Sequence, residues 1–101
     1  MEKNIYVSML LEMYGKLLTA KQTDIVDLYY NQNLSLAEIA ENLNITRQGV
    51  RKILMDAESK LIDIEEKLGF FKEKNIKKEE LEKIIQMTSE ENVKKRLANL
   101  L

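Results

Sequence analysis

Residues 34–53, LSLAEIAENLNITRQGVRKI, predict two short helices joined by a tight turn. Ser35 is followed three residues later by Glu38, which is the spacing of a capping box at the start of a helix. Asn44 falls in the turn, and Asn is one of the few residues besides Gly that tolerate a positive φ. Thr46 then caps the second helix. These caps and this turn together predict a helix-turn-helix.

The second helix of the motif is predicted to present a polar face outward. Val50 and Ile53 point inward in this register, and Ala40 supplies a small side chain where the two helices cross. A recognition helix in the DNA major groove contacts bases and phosphates from outward positions at this spacing. The predicted nucleic-acid-binding residues are therefore Arg47, Gln48, Arg51 and Lys52.

The composition predicts an all-α protein, a helix-turn-helix bundle with a long fourth helix and a C-terminal helical extension. The chain has 101 residues with no Pro and three Gly, and Leu, Ile and Met supply most of its apolar side chains. This length suits one domain, and the lack of breakers favours helices. We expect a single all-helical domain over 1–101, with the helical extension at 70–101.

The residue types that most enzymes and metal sites need are missing from the sequence. There is no Cys and no His, so thiolate and most transition-metal sites are excluded. No Gly-rich phosphate loop or G-x-S-x-G turn is present. The sequence therefore predicts a protein that is not an enzyme and that uses no metal and no cofactor.

The sequence also lacks the patterns of membrane and secreted proteins. No apolar run is long enough to span a bilayer, and Glu2 stands near an N-terminus without a signal-peptide layout. We therefore expect a cytoplasmic protein without membrane insertion.

Outside the motif, the periodicity predicts helices over residues 3–17, from Thr19 to the polar turn at 31–33, and from Arg47 to just before Gly69. Thr19 and Gln22 form a second capping box. In the extension, Ser89 is expected to cap the last helix. The apolar stripe expected for the first helix is Ile5, Met9, Met13 and Leu17, widened by Leu10 and Tyr14.

The charges are distributed unevenly around the motif. The net charge is −1, whereas proteins that depend on phosphate contacts are usually basic. Residues 46–54 carry a local charge of +3 and residues 55–69 a local charge of −3. The chain is therefore expected to bind DNA through residues 46–54, which we call the positive tip, and not along the rest of the fourth helix.

The fourth helix carries a heptad stripe that is longer than a recognition helix needs. Its apolar residues are Val50, Leu54, Ala57, Leu61, Ile64 and Leu68, at steps of 4, 3, 4, 3 and 4. The stripe can be covered by other helices of the same chain or by a second copy in a homodimer, and both interpretations stay open. A dimer is expected to have Leu61, Ile64 or Leu68 at or near the contact.

Several short motifs resemble region four of bacterial sigma factors, over residues 17–61. They are Leu18-Thr19 with Gln22, Leu28-Tyr29-Tyr30, Leu34-Ser35-Leu36, Glu38-Ile39-Ala40 and Arg47-Gln48-Gly49-Val50. Region four reads promoter DNA, and the resemblance implies base or phosphate contacts for Gln48, Arg51 and Lys52, with Arg47 nearby. Gly49 stands where the sigma pattern often has Ala, which suggests either a close approach to a ligand or simple tolerance near a helix end.

As a whole, the chain more closely resembles the YlxM family of small bacterial helix-turn-helix proteins, whose genes lie beside signal-recognition-particle components. The resemblance implies an all-helical fold, a regulatory role and a link to the signal recognition particle pathway. Our leading hypothesis is a dimeric DNA-binding regulatory protein with signal-recognition-particle components among its partners. The alternative is a protein- or RNA-interaction module that keeps the helix-turn-helix as a scaffold.

Overall fold

The computed structural model describes residues 3–101, and over these residues it contains helices and turns but no strand. The helices are α1 (Lys3–Tyr14), α2 (Ala20–Val26), α3 (Leu36–Leu43), α4 (Arg47–Leu68), α5 (Phe70–Met87) and α6 (Glu91–Ala98). The chain divides into two compact units, one that ends at Leu68 and one that spans Gly69–Leu101. The predicted fold class, including the long fourth helix and the helical extension, is confirmed.

Helix α4 is the centre of the first unit, because α1, α2 and α3 all pack against it. The fully buried side chains of this core include Val7, Leu10, Ile25, Val26, Ile39, Val50, Ala57 and Leu61. The heptad stripe of α4 is thus covered within the chain as far as Leu61. Leu61 has no exposed surface within the single chain, and whether a second copy binds at or near the end of this stripe stays a prediction.

The predicted face of α1 is confirmed for the two residues that widen it and is wrong for its main line. Leu10 and Tyr14 are buried as predicted, together with Val7 and Leu11, whereas Ile5 is 44% exposed. Apolar residues lie on nearly all sides of this segment, so periodicity alone did not determine which side faces the core. Helix α1 also ends earlier than expected, at Tyr14, and a short 3₁₀ turn, Gly15–Leu17, follows it.

A buried carboxylate lies at the C-terminal end of the α4 stripe, where the heptad pattern predicts Ile64 and Leu68. Leu68 is 47% exposed and Glu65 only 8% exposed. The Tyr14 hydroxyl donates a hydrogen bond of 2.6 Å to Glu65 Oε1. Because a buried charge is costly without hydrogen bonds, this contact stabilises the packing of α1 on α4.

The capping box at the start of α2 is confirmed, and the helix then continues as a π-helical turn, Asp27–Asn31. The side-chain amides of Asn31 and Gln32 each donate a 2.8 Å hydrogen bond to the Asp27 carboxylate. These hydrogen bonds lower the pKa of Asp27. The turn closes at Asn33, which has a positive φ of 57°, as the polar stretch at 31–33 predicts.

In the second unit, α5 follows Gly69 directly, and Gly69 adopts a left-handed φ of 67°. Helix α6 packs against α5. The expected cap at Ser89 is wrong, because Glu90 occupies the N-cap position. The Thr88 hydroxyl accepts a 3.3 Å hydrogen bond from the Glu90 amide, so the polar turn begins one residue before Ser89.

A substitution at Ala40 tests whether α3 and α4 cross at this residue. Ala40 is 6% exposed on α3, which packs against α4. We expect Ala40→Leu to lower the free energy of unfolding by ~1–3 kcal/mol, because added volume in a packed site forces strain. Ala37→Leu is the matched control on the exposed face of the same helix. Equal urea unfolding curves for the two variants would contradict this crossing of α3 and α4.

Candidate nucleic-acid interface

The N-terminus of α3 is held by a complete capping box. Ser35 Oγ accepts a 3.1 Å hydrogen bond from the Glu38 amide, and Glu38 Oε1 accepts one of 3.0 Å from the Ser35 amide. The hydrogen bond from the Ser35 backbone is the main reason that the pKa of the exposed Glu38 carboxyl is lowered. The cap fixes where α3 begins, and it satisfies the backbone amides of Ser35 and Glu38.

The turn between α3 and α4 is built around Asn44. This residue has φ 56° and ψ 46°, the left-handed conformation predicted for it. The Ile45 amide donates to the Ala40 carbonyl at 3.0 Å, and the Asn44 amide donates to the Glu41 carbonyl at 3.3 Å. This pair of hydrogen bonds is the Schellman arrangement that ends many helices. It sets the direction in which the chain enters α4.

Thr46 caps α4 as predicted, because its Oγ1 accepts a 3.0 Å hydrogen bond from the Gly49 amide. A Cβ atom placed on Gly49 would lie 3.1 Å from the same Thr46 Oγ1. Besides a close approach to a ligand and tolerance near a helix end, the structure thus gives a third reason for glycine at position 49. A side chain there would crowd the Thr46 hydroxyl that caps the helix. The capped helix starts at Arg47, so the predicted contact residues fall in its first two turns.

Three of the four predicted contact residues lie together. Arg47, Gln48 and Arg51 are exposed and line one shallow groove. The other wall of this groove is the start of α3, residues 35–37. The groove therefore combines two guanidinium groups and one amide with the first turn of a second helix. The capping box already satisfies the Ser35 and Glu38 amides, but a helix start still favours anions such as phosphate through its dipole and its remaining N–H groups.

Lys52 is the fourth predicted residue, and it lies on a neighbouring surface. It lines a second shallow groove together with Gln48, Arg51, Met55 and Asp56. Its Nζ lies 3.4 Å from Asp56 Oδ2, in an exposed ion pair. Because exposed pairs of this kind contribute little energy, Lys52 can exchange Asp56 for a phosphate at small cost.

The π-helical segment braces α4 below these residues. The Tyr30 hydroxyl donates a 2.8 Å hydrogen bond to Glu58 Oε1. Burial, followed by the adjacent Glu58 carboxylate, raises the pKa of Tyr30 well above its usual value. Tyr30 therefore stays a protonated donor at neutral pH, and it links the π-helical segment Asp27–Asn31 to α4.

The part that α3 plays in this surface is not predicted by the sequence pattern. The pattern predicts only a helix start around Ser35, whereas in the structure Ser35, Leu36 and Ala37 form a wall of the groove. The capping box was the available signal, because it fixes residues 35–37 at the start of α3.

The part of the chain that the structure describes lacks both a membrane-spanning helix and a metal-binding cluster. None of its helices is both long and apolar enough to cross a membrane. Over residues 3–101, no three His, Cys, Asp or Glu side chains are grouped so that they could hold a metal ion.

The two capped helices, the left-handed Asn44 between them and the exposed first turns of α4 define a helix-turn-helix protein. The family model described as "Putative helix-turn-helix protein, YlxM / p13 like" matches residues 1–100. The chain belongs to this family, UPF0122, as the resemblance to YlxM proteins predicts.

Relatives from several bacteria agree with this assignment. A UPF0122 protein of Clostridium kluyveri is 50% identical over 74 residues, which cover 73% of this chain and 67% of the relative. One from Acetivibrio thermocellus is 47% identical over 79 residues, covering 74% and 68%. One from Limosilactobacillus reuteri is 41% identical over 83 residues, covering 82% and 74%.

Proposed function

We propose that this chain is a cytoplasmic DNA-binding regulatory protein that uses the first two turns of α4 as its recognition helix. The observation that carries the proposal is the groove in which Arg47, Gln48 and Arg51 face the capped start of α3. Arginine and glutamine side chains can contact base edges, and helix N-termini favour phosphate. The arrangement combines one surface for bases with one for the backbone, as DNA readers require.

We also propose that the protein acts in the signal recognition particle pathway and that two copies act together. The pathway is supported by the resemblance to YlxM proteins, whose genes lie beside signal-recognition-particle components. Pairing is supported by the small size of the positive tip, because two linked tips bind adjacent half-sites more tightly than one.

The alternative function is a protein- or RNA-interaction module, with no catalytic role in either case. The acidic stretch over residues 55–69 favours the protein-binding form of this alternative, because it repels the phosphates of DNA and RNA along most of α4. The two functions differ in what the positive tip binds and in how binding depends on salt.

The first experiment is to purify the protein from cells with its bound nucleic acid and to sequence what copurifies. The recovered DNA duplex is then titrated by fluorescence anisotropy at increasing salt. Arg47, Arg51 and Lys52 can neutralise about three phosphates per tip, which predicts a log–log slope of about −2.7 for one bound tip and about −5.4 when two copies bind together. Affinity should fall about 40-fold for one tip, and roughly 2,000-fold for two, between roughly 50 and 200 mM salt. Recovery of RNA alone, or no slope with duplex DNA, would contradict DNA binding.

A further inference from the structure

The α5–α6 unit has little apolar core of its own. None of its residues is buried, and Ile76 and Met87 on α5 are 56% and 84% exposed. Helical pieces of fewer than about 40 residues usually need a disulfide, a metal or association with another chain to be stable. The chain contains no Cys and no His. The remaining way to stabilise this unit is to bury its apolar side chains against further protein surface.

Four exposed side chains form a stripe along α5. Ile76, Glu80, Lys83 and Met87 follow one another at steps of 4, 3 and 4, the spacing of a coiled-coil seam. The Glu80 and Lys83 side chains are 68% and 70% exposed, and their charged atoms lie 4.0 Å apart. Ile84, which is 41% exposed, lies beside the stripe. This face of α5 presents apolar side chains at both ends and one acid and one base between them.

The order of side chains in this stripe is complementary to itself in the antiparallel direction. When two α5 helices run in opposite directions, Ile76 of each copy meets Met87 of the other, and Glu80 meets Lys83. An interface with twofold symmetry requires this reciprocity, because residue i contacts j on one side and j contacts i on the other. A stripe with two acids or two bases at its centre would not satisfy it.

We propose that this stripe, Ile76–Glu80–Lys83–Met87, is the contact by which a second copy of the chain binds in an antiparallel dimer. The contact buries the apolar ends of the stripe and forms two reciprocal Glu80–Lys83 pairs. The interface rests on the proposed pairing of two copies, but it is measured without DNA. Its failure would therefore leave the recognition helix untouched.

The test is a set of charge exchanges followed by sedimentation equilibrium at tens of micromolar. The parent should sediment at twice the 11.8 kDa of the chain. Glu80→Lys alone and Lys83→Glu alone each replace two attractive pairs with two repulsive ones. Each should weaken the dimer by a factor on the order of ten. Glu and Lys have similar helix propensity, so circular dichroism should show unchanged helix content.

Two further samples separate this interface from a general effect of charge. The double variant Glu80→Lys with Lys83→Glu restores both pairs and should dimerise like the parent. An equal mixture of the two single variants should form a mixed dimer, because acids at both positions then face bases at both positions. Ile76→Ser should also dissociate the dimer, while Leu17→Ser, at a similarly exposed Leu of the first unit, should not.

Several outcomes would overturn the proposal. A parent that sediments at the mass of one chain would show that no second copy binds this face. Single variants that dimerise as strongly as the parent would exclude the stripe as the contact. Failure of the mixture or of the double variant to restore the dimer would exclude the antiparallel pairing.

Discussion

Arg51→Glu is expected to remove measurable DNA binding and to leave the protein as stable as the parent. Arg51 is exposed in the groove beside Arg47 and Gln48, so the reversal places a carboxylate where a base edge or a phosphate would lie. The loss of one such contact typically costs ~1–3 kcal/mol, and repulsion adds to it. We expect affinity to fall by a factor on the order of 100 or more. The measurement is fluorescence anisotropy with the copurified duplex at fixed salt.

Lys60→Glu is the matched control for this variant. Lys60 is also exposed on α4, about two and a half turns beyond Arg51, and the change in net charge is the same. We expect this control to change affinity only slightly. Both variants should unfold in urea within ~0.5 kcal/mol of the parent, because they alter exposed side chains. If Arg51→Glu and Lys60→Glu lowered the affinity equally, binding would depend on net charge, and the first turns of α4 would not be the specific DNA contact.

The helix-turn-helix could be predicted from the sequence because short-range hydrogen bonds determine its boundaries. Ser35, Asn44 and Thr46 each act on backbone groups within a few residues, and all three take the predicted part in the structure. The outward positions of α4 follow from the cap, since the first helical residue sets the rotation of those after it. Whether Arg47, Gln48, Arg51 and Lys52 contact DNA stays a prediction.

The buried face of α1 could not be predicted from the α1 sequence alone, because it depends on the helix that packs against it. The residues of α1 are apolar on most sides, so the buried face is selected by what α4 offers opposite it. Tyr14 packs inward and donates to Glu65, and a heptad pattern of apolar residues does not include a buried acid. The contribution of α3 to the groove was missed for a related reason. Residues 35–37 line the groove with Arg47, Gln48 and Arg51 only in the packed structure, which a pattern within one segment does not show.

Leu61 and Leu68 are one heptad apart on α4, and the structure predicts a large loss of stability for Leu61→Ala but a small one for Leu68→Ala. Leu61 has no exposed surface and lies in the core of the first unit, whereas Leu68 is 47% exposed. We expect Leu61→Ala to lower the free energy of unfolding by ~2–5 kcal/mol, because it removes buried methyl groups and leaves a cavity. Leu68→Ala should cost less than ~1 kcal/mol, because much of that side chain is already in water.

Urea unfolding followed by the far-ultraviolet circular dichroism signal measures both values with the same substitution on the same helix. The two expectations depend on α4 being covered by α1, α2 and α3 within one chain as far as Leu61. If a second copy covered this part of α4, the cost of Leu61→Ala would decrease as the protein is diluted, because a dimer contact is lost at low concentration. A cost that does not change with protein concentration would place Leu61 inside the single chain.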